Sequence, residues 1–139
     1  MPSVMHLFRA AKKRLPMEEL SEVRVADNSG FEGCAHARPD SSRQILMVDN
    51  ETLEAMNLSP GIIRENITTS GLNVNGLEIG QKLRVGETRL EVSAVCPPCD
   101  QLEKIRPGLR REIWGRRGML CRVIVGGMIR SGDLIEKLS

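Results

Sequence analysis

The stretch "KLRVGETRLEVSAV", residues 82–95, carries the pattern that decides the fold class. Apolar residues occupy alternate positions 83, 85, 90, 92 and 94, and charged or polar residues occupy most positions between them. This alternation is typical of strands with one buried face. The short "GET" segment between the two halves contains a glycine, as tight turns between antiparallel strands often do. The stretch therefore predicts a β-hairpin.

Similar short runs lie on both sides of this hairpin. Strands are predicted within "PSVMHLF" (2–8), "SEVRVA" (21–26), "RQILMVD" (43–49), "IIRENITTSGL" (62–72), "MLCRVIVGG" (119–127) and "MIRSGDLIEKL" (128–138). Short helices are predicted in "NETLEAMNL" (50–58), capped by Asp49 or Asn50, and in "DQLEKI" (100–105), capped by Asp100. The run "AAKKRLPMEEL" (10–20) is predicted to be a charged connection, and "RPGLRREIWGRRG" (106–118) a basic, partly helical excursion.

Many short strands separated by turns predict a mainly β protein, a closed or nearly closed β-barrel with a few short helices. The helices are too short for the parallel βαβ units of a doubly wound sheet. A chain of 139 residues suits one domain, residues 1–139.

The composition of the chain indicates which cellular compartment and which classes of partner to expect. The four cysteines are too few for a disulfide framework, and no signal peptide or transmembrane run is visible in the sequence, so we expect a cytoplasmic protein with free thiols and no membrane partner. The net charge is only +2, and the aromatic residues are two Phe and one Trp. Nucleic acid is therefore not expected as a partner, because base stacking needs aromatic side chains.

The segment Cys96-Pro-Pro-Cys99 holds the clearest candidate chemistry. A C-x-x-C pair suits half of a zinc site, a redox disulfide or an activated sulfur nucleophile. Cys99 directly precedes the predicted helix, whose N-terminus favours a thiolate, although an ionised Asp100 opposes it. Cys96 is either a resolving thiol for Cys99 or an inert thiol at a strand end.

The loop "GCAHA" (33–37) supplies a second pair of candidate ligands. Cys34 and His36 complete a Cys₃His zinc set with Cys96 and Cys99. Alternatively, His36 is a general acid or an anion ligand, or it is solvated in the loop. Cys121 lies among apolar residues and is predicted to belong to the core.

Polar side chains in two further segments are candidates for binding a cofactor. Unless the basic excursion is merely solvated, its arginines suit a phosphate, with Arg110 and Arg111 as the first candidates; the arginines of the excursion are Arg106, Arg110, Arg111, Arg116 and Arg117. The segment "RENITTS" (64–70) contributes side chains that either line a pocket or satisfy the backbone at a strand end: Arg64, Asn66, Thr68 and Thr69.

The order of these segments resembles the MOSC domain, the C-terminal domain of molybdenum cofactor sulfurases, which also occurs as small stand-alone bacterial proteins. The resemblance covers roughly residues 20–136. It is most specific in "ENITTSGL" with "IGQKLRVGE", in Pro98-Cys99, and in "GMLCRVIVGGMIRSGDLI". It implies a β-rich, barrel-like fold and a cysteine that carries persulfide sulfur or ligates molybdenum. By position that cysteine is Cys99. The loop of the family usually reads Gly-Asp-x-His-Ala, so Cys34 replaces a carboxylate.

The resemblance implies a sulfur-carrier or molybdenum cofactor-binding domain, with Cys99, Cys96 and His36 as catalytic candidates. An activity of this kind would be that of a sulfurtransferase or of a molybdenum cofactor-dependent reductase module. The sequence shows no site for PLP and no flavin or NAD motif, so the expected partners are a sulfur-donating desulfurase or a reductase. The alternative is a zinc-binding protein without catalysis that uses Cys34, His36, Cys96 and Cys99.

Overall fold

The structure, a computed structural model, describes residues 1–13 and 16–139. Its strands are β1 (Ser3–Arg9), β2 (Glu18–Leu20), β3 (Glu22–Ala26), β4 (Gly30–Phe31), β5 (Ile45–Asp49), β6 (Ile67–Ser70), β7 (Lys82–Val85), β8 (Thr88–Val95), β9 (Met119–Val125), β10 (Gly127–Arg130) and β11 (Ile135–Leu138). Its α-helices are α1 (Asn50–Ala55) and α2 (Leu109–Glu112), and short 3₁₀ helices span Val74–Gly76 and Asp100–Lys104. The mainly β class with few short helices is confirmed.

Eight strands form one mixed sheet in the order β11-β7-β8-β9-β5-β6-β1-β2. The predicted hairpin is present: β7 and β8 pair antiparallel, with Leu83 opposite Leu90 and Val85 opposite Thr88. β9 pairs with β8 in the same sheet. The expectation that parallel pairing is absent was wrong at one place, because β5 and β6 are parallel and α1 lies in the connection between them.

Among the described residues, one bridge joins the two ends of this sheet, between Ser3 and Leu134. Backbone hydrogen bonds beside the bridge join Val4 N–H to the Asp133 carbonyl at 2.8 Å and Ile135 N–H to the Pro2 carbonyl at 2.9 Å. Between the described residues no strand ladder closes the sheet. The closed barrel is therefore not confirmed.

A second, three-stranded sheet in the order β10-β3-β4 packs against the first, and Val23, Val25 and Ile129 share the larger core cluster with its strands. The sequence pattern did not predict β10 as a separate strand, because residues 119–127 read as one continuous strand, whereas β9 ends at Val125 and β10 begins at Gly127. The predicted charged connection includes Arg14 and Leu15, which lie outside the described residues. Part of the remainder, β2, is a short strand paired with β1.

The continuous apolar run of β5 is explained by cores on both of its faces. Ile45 and Met47 belong to the larger core cluster, whereas Leu46 and Val48 belong to a second cluster on the other face. Side chains from α1, the 100–104 helix and α2 cover that second cluster: Leu53, Leu102 and Leu109. This face of the sheet also carries the candidate site described below.

The helix ends agree only in part with the sequence pattern. Asp49 caps α1, and its side chain accepts a hydrogen bond from Thr52 N–H at 3.1 Å. The predicted cap at Asp100 was wrong: Cys99 takes the N-cap position, without a side-chain bond, and Asp100 is the first helical residue. In the described part of the chain no helix is long and apolar enough to cross a membrane.

Candidate functional site

A depression on the second-cluster face has basic walls, and we call it the cationic pocket. It has a volume of about 380 Å³, and no aspartate or glutamate among the described residues lines it. Such a surface favours an anionic ligand, since positive charges in a concave, partly desolvated site reinforce one another. The basic residues of its wall are Lys13, His36, Arg38, Arg43, Arg64 and Arg117.

Arg117 is the most buried of these basic residues. Its side chain is only 7 % exposed, and Nη2 donates to the Ile63 carbonyl at 2.8 Å. Its Nε and Nη1 atoms are buried and find no hydrogen-bond partner in residues 1–13 and 16–139. Buried N–H groups of a cation are costly to leave unbonded, so this geometry indicates that a ligand completes the guanidinium's bonding.

Gly118 fixes the position of Arg117 at the start of β9. Its φ of +106° and the 2.5 Å between an added Cβ and the Met47 carbonyl oxygen leave room only for glycine. The Gly118 N–H donates to the Asn75 side chain at 3.1 Å, and its carbonyl accepts from Cys96 N–H at 3.0 Å. Close packing against β5 thus holds Arg117 and Cys96 at the same end of the sheet.

The two cysteines of the C-x-x-C segment lie in different depressions. Cys96 is buried and lines the cationic pocket. Burial raises the pKa of its thiol, against the opposing charges of Arg117 and Arg43. Cys99 is exposed and lines a neighbouring cleft of about 350 Å³, which we call the Cys99 cleft. Arg64 and Arg117 contribute to the walls of both depressions, so the two are adjacent.

Cys34 lies directly behind the wall of the cationic pocket. Its Sγ accepts hydrogen bonds from Ala10 N–H and from the Asn66 amide, both at 3.4 Å. Burial opposes ionisation of this thiol, but hydrogen bonds from the His36 side chain and from backbone N–H groups, together with the charge of His36, outweigh it. They lower the pKa of Cys34 from 9.0 to about 7. Cys121, by contrast, is fully buried in the core as predicted, and burial raises its pKa to about 12.

The proposed zinc set is not assembled. Across the described residues, no group of three or more His, Cys, Asp or Glu side chains is placed to hold a metal ion. His36 and Cys96 share the cationic pocket, whereas Cys99 lies in the adjacent cleft. The structure therefore brings the loop and the C-x-x-C segment to one region without forming a four-ligand centre.

The segment "RENITTS" divides between the pocket and the interior. Arg64, at a φ of +66°, and Asn66 line the cationic pocket. Asn66 is fully buried and also joins three elements: its amide donates to Phe8 carbonyl and Cys34 Sγ, and its carbonyl oxygen accepts from Leu46 N–H. Thr68 and Thr69 are fully buried, and the Thr68 hydroxyl donates to Glu65 at 2.8 Å. Neither threonine lines the pocket.

Arginines 110 and 111 do not reach the cationic pocket. Both line a separate open depression, together with Glu103 and the exposed Trp114. Arg110 also forms an ion pair with Asp100 at 2.6 Å. The basic excursion contributes to the cationic pocket through Arg117, its penultimate residue.

Sequence reasoning missed three basic residues as members of the site: Lys13, Arg38 and Arg43. Arg117 was included in the basic excursion, but only Arg110 and Arg111 of that segment were singled out. Arg43 and Arg117 each lie two residues before a buried strand, β5 and β9. These strands run antiparallel, so the two positions lie at opposite ends of the strand pair, and no local pattern predicts that both side chains line one pocket. Nothing in the loop sequence marks Lys13 or Arg38.

The chain was compared with known families and structures. A family model described as "MOSC domain" matches residues 35–136. No curated protein matches the sequence. The fold is similar to YuaD from Bacillus subtilis (TM-score 0.79, 20 % identity, covering 97 % of this chain and 94 % of that one). It is also similar to YiiM from Geobacillus stearothermophilus (TM-score 0.82, 18 % identity, covering 100 % of this chain and 76 % of that one). YiiM from Escherichia coli is similar as well (TM-score 0.77, 20 % identity, covering 100 % of this chain and 70 % of that one).

At these identities the structural neighbours establish the fold alone. The family model, in contrast, covers most of the chain, including the loop with His36, the segment "RENITTS", both cysteines of the C-x-x-C segment and Arg117. The chain therefore belongs to the MOSC-domain family, which is associated with molybdenum cofactor sulfurases.

Proposed function

We propose that the chain binds the molybdenum cofactor, with the phosphate of the pterin in the cationic pocket and the sulfur of Cys99 at the metal end. The observation that carries the proposal is Arg117, a buried guanidinium in the walls of both depressions whose Nε and Nη1 find no hydrogen-bond partner among the described residues. Phosphate oxygens are strong acceptors that match this geometry. The family association with molybdenum cofactor sulfurases supports the same choice of ligand.

The donor set fits such a cofactor at both ends. The cationic pocket offers basic groups without a competing carboxylate among the described residues. The Cys99 cleft adds an exposed thiol beside apolar side chains, which include Ile63, Leu102 and Ile105. A soft thiolate is a suitable ligand for a molybdenum–sulfur centre, and the apolar wall suits a flat heterocycle.

Each residue then has a definite task. Arg117 and Arg64 lie between the two depressions and orient the ligand across both. Asn66 holds the loop of Cys34 and His36 against β5 and so keeps the pocket wall in place. Cys99 either ligates the metal or carries a persulfide sulfur to it. When bound, the cofactor supplies a redox-active molybdenum centre, for which a separate protein provides electrons or sulfur.

Loading with cofactor released from a molybdoenzyme tests this proposal. We expect the unaltered protein to retain about one molybdenum atom per chain after gel filtration, together with pterin fluorescence after oxidation. Cys99→Ser should lose the metal, and Cys121→Ser should retain it, because Cys121 is sealed in the core. Metal content is measured by plasma mass spectrometry.

Two results would count against the proposal. Equal molybdenum in Cys99→Ser and the unaltered protein removes Cys99 as a ligand. Retention of zinc instead of molybdenum, with loss of zinc in Cys34→Ser, would support the zinc alternative. Intact mass of the gently purified protein distinguishes the two roles of Cys99, since a persulfide adds one sulfur atom to the peptide that contains it.

A further inference from the structure

Cys34 lies in surroundings that stabilise a thiolate. Three kinds of donor converge on its sulfur: the Ala10 N–H at 3.4 Å, the Asn66 amide at 3.4 Å, and the His36 imidazole. No acidic side chain is among the groups that act on this thiol. The proposed role of Cys99 in cofactor binding does not involve the Cys34 sulfur or the donors around it.

The same sulfur is next to the cationic pocket. Its chain neighbours Ala35 and His36 line that pocket, and so does Asn66, which donates to it. Cys34 retains 8 % of its surface exposed, whereas Cys121 retains none. Cys34 itself belongs to the larger core cluster and does not line the pocket, so reaction with a ligand there requires the loop to move and expose the sulfur.

We propose that Cys34 accepts sulfane sulfur from a small dianionic donor of the thiosulfate class, whose sulfonate group binds in the cationic pocket. The thiolate attacks the outer sulfur of thiosulfate. A new S–S bond forms to Cys34, the S–S bond to the sulfonate sulfur breaks, and its electron pair leaves with sulfite. The charge of minus three is the same on both sides, and no external oxidant or reductant is needed. A thiol that ionises near ambient pH is the most effective attacker in such exchanges.

The basic wall has two roles in this step. It concentrates a doubly charged donor, and it holds the sulfite that leaves. The step uses the pocket assigned above to the phosphate of the cofactor, but neither molybdenum nor Cys99. It is therefore an activity of the unloaded protein, and it stands or fails separately from cofactor binding.

The test combines two measurements on the purified full-length protein. Incubation with thiosulfate, followed by digestion and mass spectrometry, should show one added sulfur on the peptide containing Cys34. With cyanide as acceptor, the persulfide returns to the thiolate and thiocyanate forms, which is measured by its iron(III) colour. Cys34→Ser should reduce thiocyanate formation to the rate in buffer, while Arg111→Met, which alters a separate depression, retains the full rate.

Arg117→Met should raise the thiosulfate concentration needed for half-maximal rate by at least about tenfold, the effect of losing roughly 1.4 kcal/mol of binding. An added sulfur on Cys99 or Cys96 but not on Cys34 overturns the proposal, as does thiocyanate formation that persists in Cys34→Ser. The peptide assignment is made on the unaltered protein, so misfolding of a variant does not affect it. Loss of molybdenum binding with intact labelling of Cys34 would reject only the cofactor proposal.

Discussion

Arg117→Met is expected to abolish anion binding in the cationic pocket without loss of stability. Two N–H groups of the buried guanidinium have no partner among the residues that the structure describes, and we assign both to the bound anion. Hydrogen bonds that involve a charged group contribute about 1.5 kcal/mol or more each, so the loss of two weakens binding by roughly a hundredfold. The thermal shift produced by phosphate or sulfate should vanish in the variant.

The stability of the same variant separates a binding role from a structural one. A buried cation with unbonded N–H groups is costly, and an apolar side chain of similar length relieves that cost. The lost bond to the Ile63 carbonyl offsets part of the gain, at about 1.5 kcal/mol. We expect the free energy of unfolding without added anion to be equal to or higher than that of the unaltered protein.

Arg111→Met is the matched control, because Arg111 comes from the same basic segment but lines a different depression. In Arg111→Met, phosphate or sulfate should produce the same thermal shift as in the unaltered protein. An unchanged anion response in Arg117→Met would show that the pocket does not use this guanidinium. A large drop in stability without anion would indicate that Arg117 is structural.

Gly118→Ala is expected to lower the free energy of unfolding by about 3 kcal/mol or more, since backbone strain and overpacking add at this position. Its φ is +106°, and an added Cβ lies 2.5 Å from the Met47 carbonyl oxygen and 2.7 Å from Val48 Cγ2. Both contacts belong to β5, a strand buried on both faces, which has little freedom to move. Urea unfolding of the purified variants measures the change.

Gly115→Ala provides the comparison at a similar backbone angle. Gly115 has a φ of +81°, but nothing lies within 4 Å of an added Cβ. Only the conformational strain remains, and the expected cost is about 1 kcal/mol. Equal losses in the two variants would show that the close approach of β9 to β5 is not what requires glycine at position 118.

The local pattern of apolar and polar residues was sufficient to predict most of the fold. Alternation of apolar and polar residues gave β7 and β8, and the run at 45–48 gave a buried strand because both of its faces are covered. The parallel pairing of β5 with β6 and the strand β10 were not predicted. Both depend on contacts between distant segments, which local pattern does not encode. The bridge between Ser3 and Leu134 likewise joins segments that are far apart in the sequence.

Only those parts of the site could be predicted whose reactive residues lie close together in the sequence. His36 and Cys96 line the cationic pocket, whereas Cys99 lines the adjacent cleft and Cys34 lines neither, so the loop and the C-x-x-C segment meet only in part. Arg110 and Arg111 were favoured over Arg117 because charge density in sequence says nothing about which side chain turns inward. The thiolate surroundings of Cys34 depend on Ala10 and Asn66, which are 24 and 32 residues away along the chain.

The central claim is that Arg117 binds an anion in the cationic pocket. It is tested most directly by a crystal of the protein soaked in selenate. Selenate has the shape of sulfate and phosphate, and selenium is located by its anomalous scattering. The account predicts an anomalous peak in the cationic pocket, with selenate oxygens within hydrogen-bond distance of Arg117 Nε and Nη1. It is contradicted if selenate binds only beside Arg110 and Arg111, or if Arg117 Nε and Nη1 are bonded to protein groups and the pocket holds no selenate.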